Sequence, residues 1–138
     1  MIGYIMFRLA DRDLACRLDE VHEVVRLEGL EVMPGLVPPI SGLLELRGNP
    51  LPVVDLRSGD EAARAAARGD VLVLATGVDA IGVIVDQVIA VHDEADLVSL
   101  GEERPSGLPH YVVEVLRRRG APAPVLLVDL RQLLAVVA

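Results

Sequence analysis

Two aspartates at matching places are the first candidates for chemistry in this sequence. Asp55 and Asp129 each end an apolar segment and each precede a Leu-Arg dipeptide. Two carboxylates brought together would be equipped for general acid–base catalysis. A carboxylate at the end of a strand also accepts backbone N–H groups, and we expect this structural role for both residues. The alternative is a small ligand-binding or hydrolytic β-barrel that uses Asp55 and Asp129.

The other reactive side chains lack the spacing that catalytic and metal sites need. The three histidines are far apart and have no second ligand at helical spacing, which argues against a metal site. The single cysteine, Cys16, excludes an intrachain disulfide and is expected to be a small buried apolar residue. No phosphate-binding loop, zinc-protease motif or nucleophile elbow occurs. We therefore expect a protein that is not an enzyme and holds no metal and no cofactor.

The composition narrows the classes of partner. The chain has 138 residues, enough for one domain, and a net charge of −8 with 52% hydrophobic residues. An acidic chain lacks the basic face that phosphate binding requires, so nucleic acid is an unsuitable partner. No apolar run approaches the roughly 18 residues of a membrane span, and the first residues lack the basic start of a signal peptide. We expect a cytoplasmic protein.

An internal repeat organises the chain. The apolar segment 4–9, a turn and the segment 14–25 are replayed by 71–75, a turn and 81–92, so that Asp19 corresponds to Asp86. The segment 43–57 is similarly replayed by 113–131. Short Val-rich segments bounded by Gly, Pro and Asp are typical of strands. The repeat predicts a small β-barrel twice, with Pro50 and Pro52 at a strand start.

The repeat also predicts boundaries inside a single domain of residues 1–138. We place the first barrel at 1–58, a connecting helix at 59–69 and the second barrel at 70–138. The helix prediction depends on a capping box from Ser58 to Glu61 and on a terminating Gly69. The segment 130–137 is too short for its period to decide between helix and strand. The predicted fold class is all-β with one or two short helices.

Several motifs in order make this chain resemble the CheW-like domains, the coupling proteins of bacterial chemotaxis. They include Val21-His22-Glu23-Val24-Val25, Pro39-Ile40-Ser41-Gly42-Leu43 and Leu46-Arg47-Gly48, followed by Leu51-Pro52-Val53-Val54-Asp55-Leu56-Arg57. In the second half, Gly82-Val83-Ile84-Val85-Asp86-Gln87-Val88 agrees as well. The resemblance covers nearly the whole chain.

The resemblance implies a fold of two intertwined five-stranded SH3-like barrels and a noncatalytic adaptor. Such an adaptor couples the cytoplasmic tip of a chemoreceptor to the regulatory domain of a CheA-type histidine kinase, in chemotaxis or a related pathway. This chain is short and is expected to be an accessory or divergent member. The partner-binding positions that the resemblance implies are Val21 and Glu23 on the second strand, and Gly42, Arg47 and Gly48 around the third.

The residues themselves give a physical case for part of this surface. Arg47 precedes a Gly-Asn-Pro turn that places its guanidinium at a barrel rim, where it pairs either with Glu23 or with an acidic partner. Val21 with Val24 or Val25 forms either an open apolar face for a helical partner or ordinary barrel core. The second half has Ala90 where Glu23 would recur, and three arginines, 117–119, in place of the Arg-Gly-Asn turn. A homodimeric structural module is a further alternative.

Overall fold

The computed structural model describes residues 3–77, 79–100 and 106–137, and these form eleven strands and two α-helices. The strands are β1 (Gly3–Leu9), β2 (Arg12–Arg17), β3 (Glu23–Arg26), β4 (Gly42–Leu46), β5 (Asn49–Asp55), β6 (Asp70–Thr76), β7 (Asp79–Val85), β8 (Gln87–Asp93), β9 (Leu97–Ser99), β10 (Val112–Arg118) and β11 (Pro124–Val128). The helices are α1 (Glu61–Ala66) and α2 (Leu130–Val137), and Leu18–Glu20 form a 3-10 turn. No helix of the described residues is long and apolar enough to cross a membrane.

The strands form two curled sheets that belong to two compact units. One sheet has the order β8-β1-β2-β11-β10-β9, and the other has the order β3-β6-β7-β5-β4. The first sheet belongs to the unit made of the chain up to Glu20 together with Val88–Val137, and the second belongs to the unit Val21–Gln87. The predicted all-β class is confirmed, and the first sheet carries the short β9 as a sixth strand.

Each unit has its own hydrophobic core. The five-stranded sheet buries a cluster on alternate positions of its strands, namely Leu44, Leu51, Val53, Val71, Val73 and Ile84. The six-stranded sheet buries Tyr4, Met6, Ala15, Leu97, Leu116, Val125 and Leu127. Alternation in a strand directs every second side chain to one face, and Val, Leu and Ile fit such a half-buried face well.

Neither copy of the sequence repeat forms a compact unit by itself, because each unit combines strands from both copies. Each unit takes its first hairpin from the other half of the chain: β1 and β2 join β8–β11, while β6 and β7 join β3–β5. In both sheets the last strand of one copy pairs in parallel with the second strand of the other copy, as β5 with β7 and β11 with β2. The chain leaves one unit for the other near Asp19 and again near Asp86, the two aspartates that the repeat aligns.

This exchange differs from the predicted boundaries at 1–58, 59–69 and 70–138. Those boundaries assume that a repeat closes on itself, whereas the register pairs each first hairpin with the other copy. The predicted strand through residues 14–25 is also broken, because the 3-10 turn separates β2 from β3 and the two strands lie in different sheets. Helix α1 lies within the unit Val21–Gln87 and therefore connects β5 to β6 inside one unit.

An aspartate caps the N-terminus of each α-helix. The N-cap of α1 is Asp60, whose carboxylate accepts the N–H of Ala63 at 2.8 Å, so the predicted capping box from Ser58 is wrong and α1 is shorter than 59–69. The segment that the sequence left open is helix α2, which Asp129 caps by accepting the N–H of Gln132 at 3.1 Å. A side-chain acceptor satisfies one of the four N–H groups that a helix start leaves unpaired.

A buried ion pair ties the end of β5 to the segment before β6. The side chains of Asp55 and Arg57 are 5% and 2% exposed, and two parallel hydrogen bonds join them: Nε to Oδ1 at 3.0 Å and Nη2 to Oδ2 at 2.9 Å. Nη1 of Arg57 donates to the carbonyl groups of Ala67 and Arg68 at 3.3 and 3.2 Å. The carboxylate also accepts the N–H of Arg57, which confirms the expected structural role.

We expect the Arg57→Met substitution to lower the free energy of unfolding by about 3–5 kcal/mol, because it leaves the carboxylate of Asp55 buried without its partner. The double variant Arg57→Met/Asp55→Leu should lose less, since it removes both charges. Arg68→Met is the matched control and should change stability by less than about 0.5 kcal/mol, because the Arg68 side chain is exposed. Urea unfolding measures all three, and a loss as small in Arg57→Met as in the control contradicts the assignment.

Cys16 lies in β2 and is fully buried. Burial raises the pKa of the Cys16 thiol to about 12, and the negative charge of Glu20 contributes in the same direction. The thiol therefore stays protonated at neutral pH, and thiols react as thiolates. We expect iodoacetamide to leave the native protein unmodified and to alkylate Cys16 after denaturation. A Ser58→Cys variant, exposed in the native state, is the positive control, and equal labelling of both cysteines would show that Cys16 is accessible.

Candidate functional site

The residues implied as partner-binding all belong to the unit Val21–Gln87. Val21 precedes β3 and is half-buried, and Glu23 is the first residue of β3. Gly42 is the first residue of β4, while Arg47 and Gly48 form the turn between β4 and β5. Val21 and Glu23 thus lie at the third strand rather than on the predicted second strand.

The turn that carries Arg47 is a tight two-residue hairpin. Leu46 pairs with Asn49, and the two residues between them have positive φ angles, +49° at Arg47 and +83° at Gly48. Two positive φ angles define the type I′ turn, whose twist matches that of the flanking strands. Glycine adopts such angles freely, whereas a residue with a side chain is strained there by roughly 1–2 kcal/mol. Arg47 is therefore held in an unfavourable conformation at the tip of a rigid hairpin.

Arg47 and Glu23 form a two-pronged ion pair, which we call the rim pair. Nη1 of Arg47 donates to Oε2 of Glu23 at 3.0 Å, and Nη2 donates to Oε1. The Arg47 side chain is 66% exposed and that of Glu23 is 24% exposed. Of the two alternatives at the rim, the structure shows the pairing with Glu23. The hydrogen bond from Arg47 lowers the pKa of Glu23, and the same bond raises the pKa of Arg47.

The rim pair joins the two ends of the five-stranded sheet. Strands β3 and β4 are the outer strands of the order β3-β6-β7-β5-β4, yet a side chain at the start of β3 reaches the turn that follows β4. This contact requires a strongly curled sheet, as in a small barrel. The segment after β3 closes the same gap, because Glu31 and Leu43 exchange two backbone hydrogen bonds of 2.8 and 2.9 Å.

Gly42 is needed where this segment meets β4. A Cβ atom at Gly42 would lie 2.7 Å from the carbonyl oxygen of Glu31 and 2.8 Å from Cδ1 of Leu30. Contacts this short cannot be accommodated without moving the backbone of Glu31. Glycine at this position therefore allows the close approach that closes the barrel, and Gly48 supplies the positive φ angle of the turn.

An open cavity of about 810 Å³, which we call the groove, lies beside the rim pair. Its walls combine aliphatic residues with polar ones, and they include the residues on either side of the Arg47–Gly48 turn and the residue between Val21 and Glu23. The lining residues are His22, Leu46, Asn49, Pro50, Leu51, Pro52, Val73, Ala75, Gly77, Asp79 and Ala80.

The prolines of β5 explain why the groove is open. The backbone N–H and C=O of Leu43 bond to Glu31 and not to β5. Leu43 and Pro52 therefore form a non-hydrogen-bonded pair of the β4–β5 ladder, and the nitrogen of Pro52 faces away from β4. On that side the pairing of β5 with β7 begins only at Val53. Proline lacks an N–H and ends the ladder there. Pro50 and Pro52 are the second and fourth residues of β5, toward its start, and their alternate spacing was the available sequence signal for the groove.

The valines of β3 divide between core and surface. Val25 packs against the core cluster of the sheet, whereas Val24 is 41% exposed. Of the valines expected to form either an open apolar face or barrel core, Val25 therefore belongs to the core, Val24 is exposed and Val21 is half-buried.

The remaining candidates have structural contacts. Asp55 pairs with Arg57 in the unit Val21–Gln87. Asp129 caps the start of α2 in the other unit. Among the described residues, no group of three or more His, Cys, Asp and Glu side chains is placed to hold a metal ion. All three residues of the arginine run are exposed, and Arg119 donates from Nε to the carbonyl of Ala95 at 3.1 Å.

The rim pair makes a prediction about the titration of Glu23. Because the hydrogen bond to Arg47 lowers its pKa below the ordinary value of 4.5, the carboxylate should titrate below that value in the native protein. The stabilisation from the pair is then present above the unfolded-state pKa and is lost as the pH falls through the folded-state pKa. Side-chain carboxyl NMR gives the midpoint, which should rise toward 4.5 in Arg47→Gln. A midpoint that is the same in both proteins would mean that the pair does not form in solution.

Comparison with known proteins agrees with this architecture. The chain resembles the scaffolding protein TtCheW from Thermoanaerobacter tengcongensis, known from a crystal structure, with a TM-score of 0.63 and 20% identity over 94% of this chain and 84% of that chain. A search of the curated proteins gave no match. The family profile of the CheW-like domain matches residues 3–137. With nearly its whole length matched by that profile, the chain belongs to the CheW-like domain family.

Proposed function

We propose that this protein is a noncatalytic adaptor that couples a chemoreceptor to a CheA-type histidine kinase, in chemotaxis or a related signalling pathway. Its partners are the cytoplasmic tip of the receptor and the regulatory domain of the kinase, and its location is the cytoplasm. Family membership supports the adaptor class. The observation that carries the proposal is the rim pair of Glu23 and Arg47, which borders an open groove with aliphatic and polar walls.

The rim pair is suited to recognition. An ion pair that is largely exposed contributes little to folding, because water screens it and ordering two long side chains costs entropy. The same charges at a surface select a partner and its orientation. The two hydrogen bonds to Glu23 hold the guanidinium of Arg47 in place, so less conformational entropy is lost when a partner binds. Val21, Glu23, Gly42, Arg47 and Gly48 are the proposed partner-binding residues, with both glycines acting through the backbone.

The groove fits a helical partner better than an extended one. Its length follows the start of β5, where Pro50 and Pro52 offer no N–H group to an added strand. An amphipathic helix needs no backbone hydrogen bonds from its receptor, because it lays apolar side chains into a groove. The aliphatic residues of the lining and the exposed Val24 supply such a surface.

The two units are proposed to have different tasks. In the other unit Ala90 stands at the position of Glu23, and the turn after β10 begins with Arg119, whose Nε donates to the carbonyl of Ala95. Among the described residues, a pair like Glu23 with Arg47 therefore does not form at the matching positions of that unit. Receptor binding is therefore assigned to the unit Val21–Gln87, and the other unit is assigned packing and a separate kinase-facing edge.

Charge reversal tests the assignment. We expect Glu23→Arg and Arg47→Glu each to weaken binding of a receptor tip fragment, measured by titration calorimetry, by about tenfold or more, as loss of a charge-assisted contact does. Arg118→Glu is the matched control and should leave binding within twofold or so, because its side chain is exposed on the other unit. The double swap Glu23→Arg/Arg47→Glu restores an ion pair, so its melting temperature should match the native protein while binding stays weak.

Two outcomes would contradict the proposal. An equal loss from Arg118→Glu and Arg47→Glu would place the receptor-binding face elsewhere. Full recovery of binding in the double swap would show that the rim pair acts only by holding the barrel closed, and that its charges do not contact the partner.

A further inference from the structure

A second cavity in the unit Val21–Gln87 lies against the buried ion pair of Asp55 and Arg57. It has a volume of about 510 Å³ and combines aliphatic and charged side chains. We call it the cationic cavity, and its lining residues are Leu27, Gly29, Leu30, Val32, Ser41, Asp55, Arg57, Arg64, Ala65 and Ala67. None of them belongs to the rim pair or lines the groove.

The charges that line this cavity do not balance. Oδ2 of Asp55 meets Nη2 of Arg57 at 2.9 Å and Nε of Arg64 at 3.5 Å, so two guanidinium groups share one carboxylate. Arg57 uses four of its five N–H groups on that carboxylate and on two carbonyl groups. Arg64 is 34% exposed and reaches both solvent and the cavity. Among the described residues that line the cavity, the two arginines therefore exceed the one carboxylate by one positive charge, and in a partly enclosed space opposite charges attract more strongly than in water.

The rest of the wall is apolar and accessible. Leu27, Leu30, Val32, Ala65 and Ala67 contribute aliphatic surface, and Val32 is 63% exposed at the mouth. At Gly29 an added Cβ would meet no atom within 4 Å, so the wall is open at that point. A cavity of this size, with aliphatic wall residues and a few fixed polar groups, is typical of a small-ligand site.

We propose that the cationic cavity binds a carboxylate carried on a short aliphatic body. Arg64 contacts the carboxylate, and the leucines, valine and alanines cover the aliphatic part. A single carboxylate matches the single unbalanced positive charge. Arg64 donates from Nη1 to the carbonyl of Gly59 at 2.8 Å and its Nε faces Asp55, so we assign the contact with the ligand to Nη2, as one charge-assisted hydrogen bond. An ammonium group would meet two guanidinium groups and is disfavoured. This site is separate from the rim pair and does not depend on the adaptor function.

The same chemistry has two sources, namely a free short-chain carboxylate and a glutamate side chain between apolar residues of a peptide. The probes are hexanoate for the first and a capped Leu-Glu-Leu peptide for the second. Hexylammonium and hexanol are the controls for charge and for apolar burial alone. Two-dimensional NMR of the ¹⁵N-labelled protein follows the N–H signals of Gly29, Ser41 and Arg64, which report on the cavity directly.

We expect saturable shifts at these residues with hexanoate, with the peptide, or with both, and only weak shifts with hexylammonium and hexanol. Arg64→Gln should weaken binding by about tenfold, as expected for loss of a charge-assisted hydrogen bond. Ala65→Glu places a carboxylate on the cavity wall and should abolish binding, whereas Ala66→Glu, on the same helix but outside the lining, should not. Thermal melting verifies that each variant is folded.

The proposal is overturned if neither carboxylate probe gives saturable shifts at the cavity. It is also overturned if hexylammonium binds as tightly as hexanoate, or if folded Arg64→Gln binds hexanoate as well as the native protein does. Binding of the peptide alone would assign the cavity to an acidic segment of a protein partner, and binding of hexanoate alone would assign it to a free carboxylate.

Discussion

The buried pair of Asp55 and Arg57 fixes the geometry of the unit that carries both candidate sites. Charges this deeply buried are tolerated only when every hydrogen-bonding group is satisfied. Here the guanidinium is enclosed by the carboxylate and by the carbonyl groups of Ala67 and Arg68, and Ser41 accepts the N–H of Asp55 at 2.9 Å. Gly69 leaves the room required, since a Cβ there would lie 3.2 Å from Nη1 of Arg57. The end of β5, the exit of α1 and the start of β6 are thereby held together.

The two ion pairs of this unit differ in burial and therefore in their effect. The Asp55–Arg57 pair is almost completely desolvated, so its loss is felt in stability. The rim pair is exposed and bridges the sheet ends that the Glu31–Leu43 hydrogen bonds already close. Because the Glu31–Leu43 hydrogen bonds already join the two ends of the sheet, closure of the sheet does not depend on the rim pair alone, and its charges are available for the recognition proposed above. A protein can change such exposed charges to suit a partner without endangering its fold.

The groove and the cationic cavity both arise where strand pairing is interrupted. The groove opens because prolines end the β5–β7 ladder, and the cationic cavity lies where the chain leaves β5 for α1. Regular sheet leaves no space between hydrogen-bonded strands, which are about 4.7–4.9 Å apart. Binding surfaces in a small all-β unit therefore depend on the residues that stop pairing, here proline and a buried arginine.

Much of this protein is determined by its sequence alone. Short Val-rich segments between Gly, Pro and Asp predicted the strands, because alternation and turn residues are local properties. The repeat marked Asp19 and Asp86 as equivalent, and both lie where the chain passes between units. The single buried cysteine and the structural roles of Asp55 and Asp129 were also predictable, since each depends on near neighbours.

Only the tertiary structure decided which strands pair. A repeat shows that two segments have the same form, but each first hairpin can pair with its own copy or with the other, and the side-chain pattern satisfies both. The register of β5 with β7 and of β11 with β2 settles this in favour of exchange. The meeting of Glu23 with Arg47, which lie at opposite ends of the sheet order, and of Arg64 with Asp55 likewise depends on how far the sheet curls and where α1 begins. Curling and register are long-range properties, because they result from packing across the whole unit.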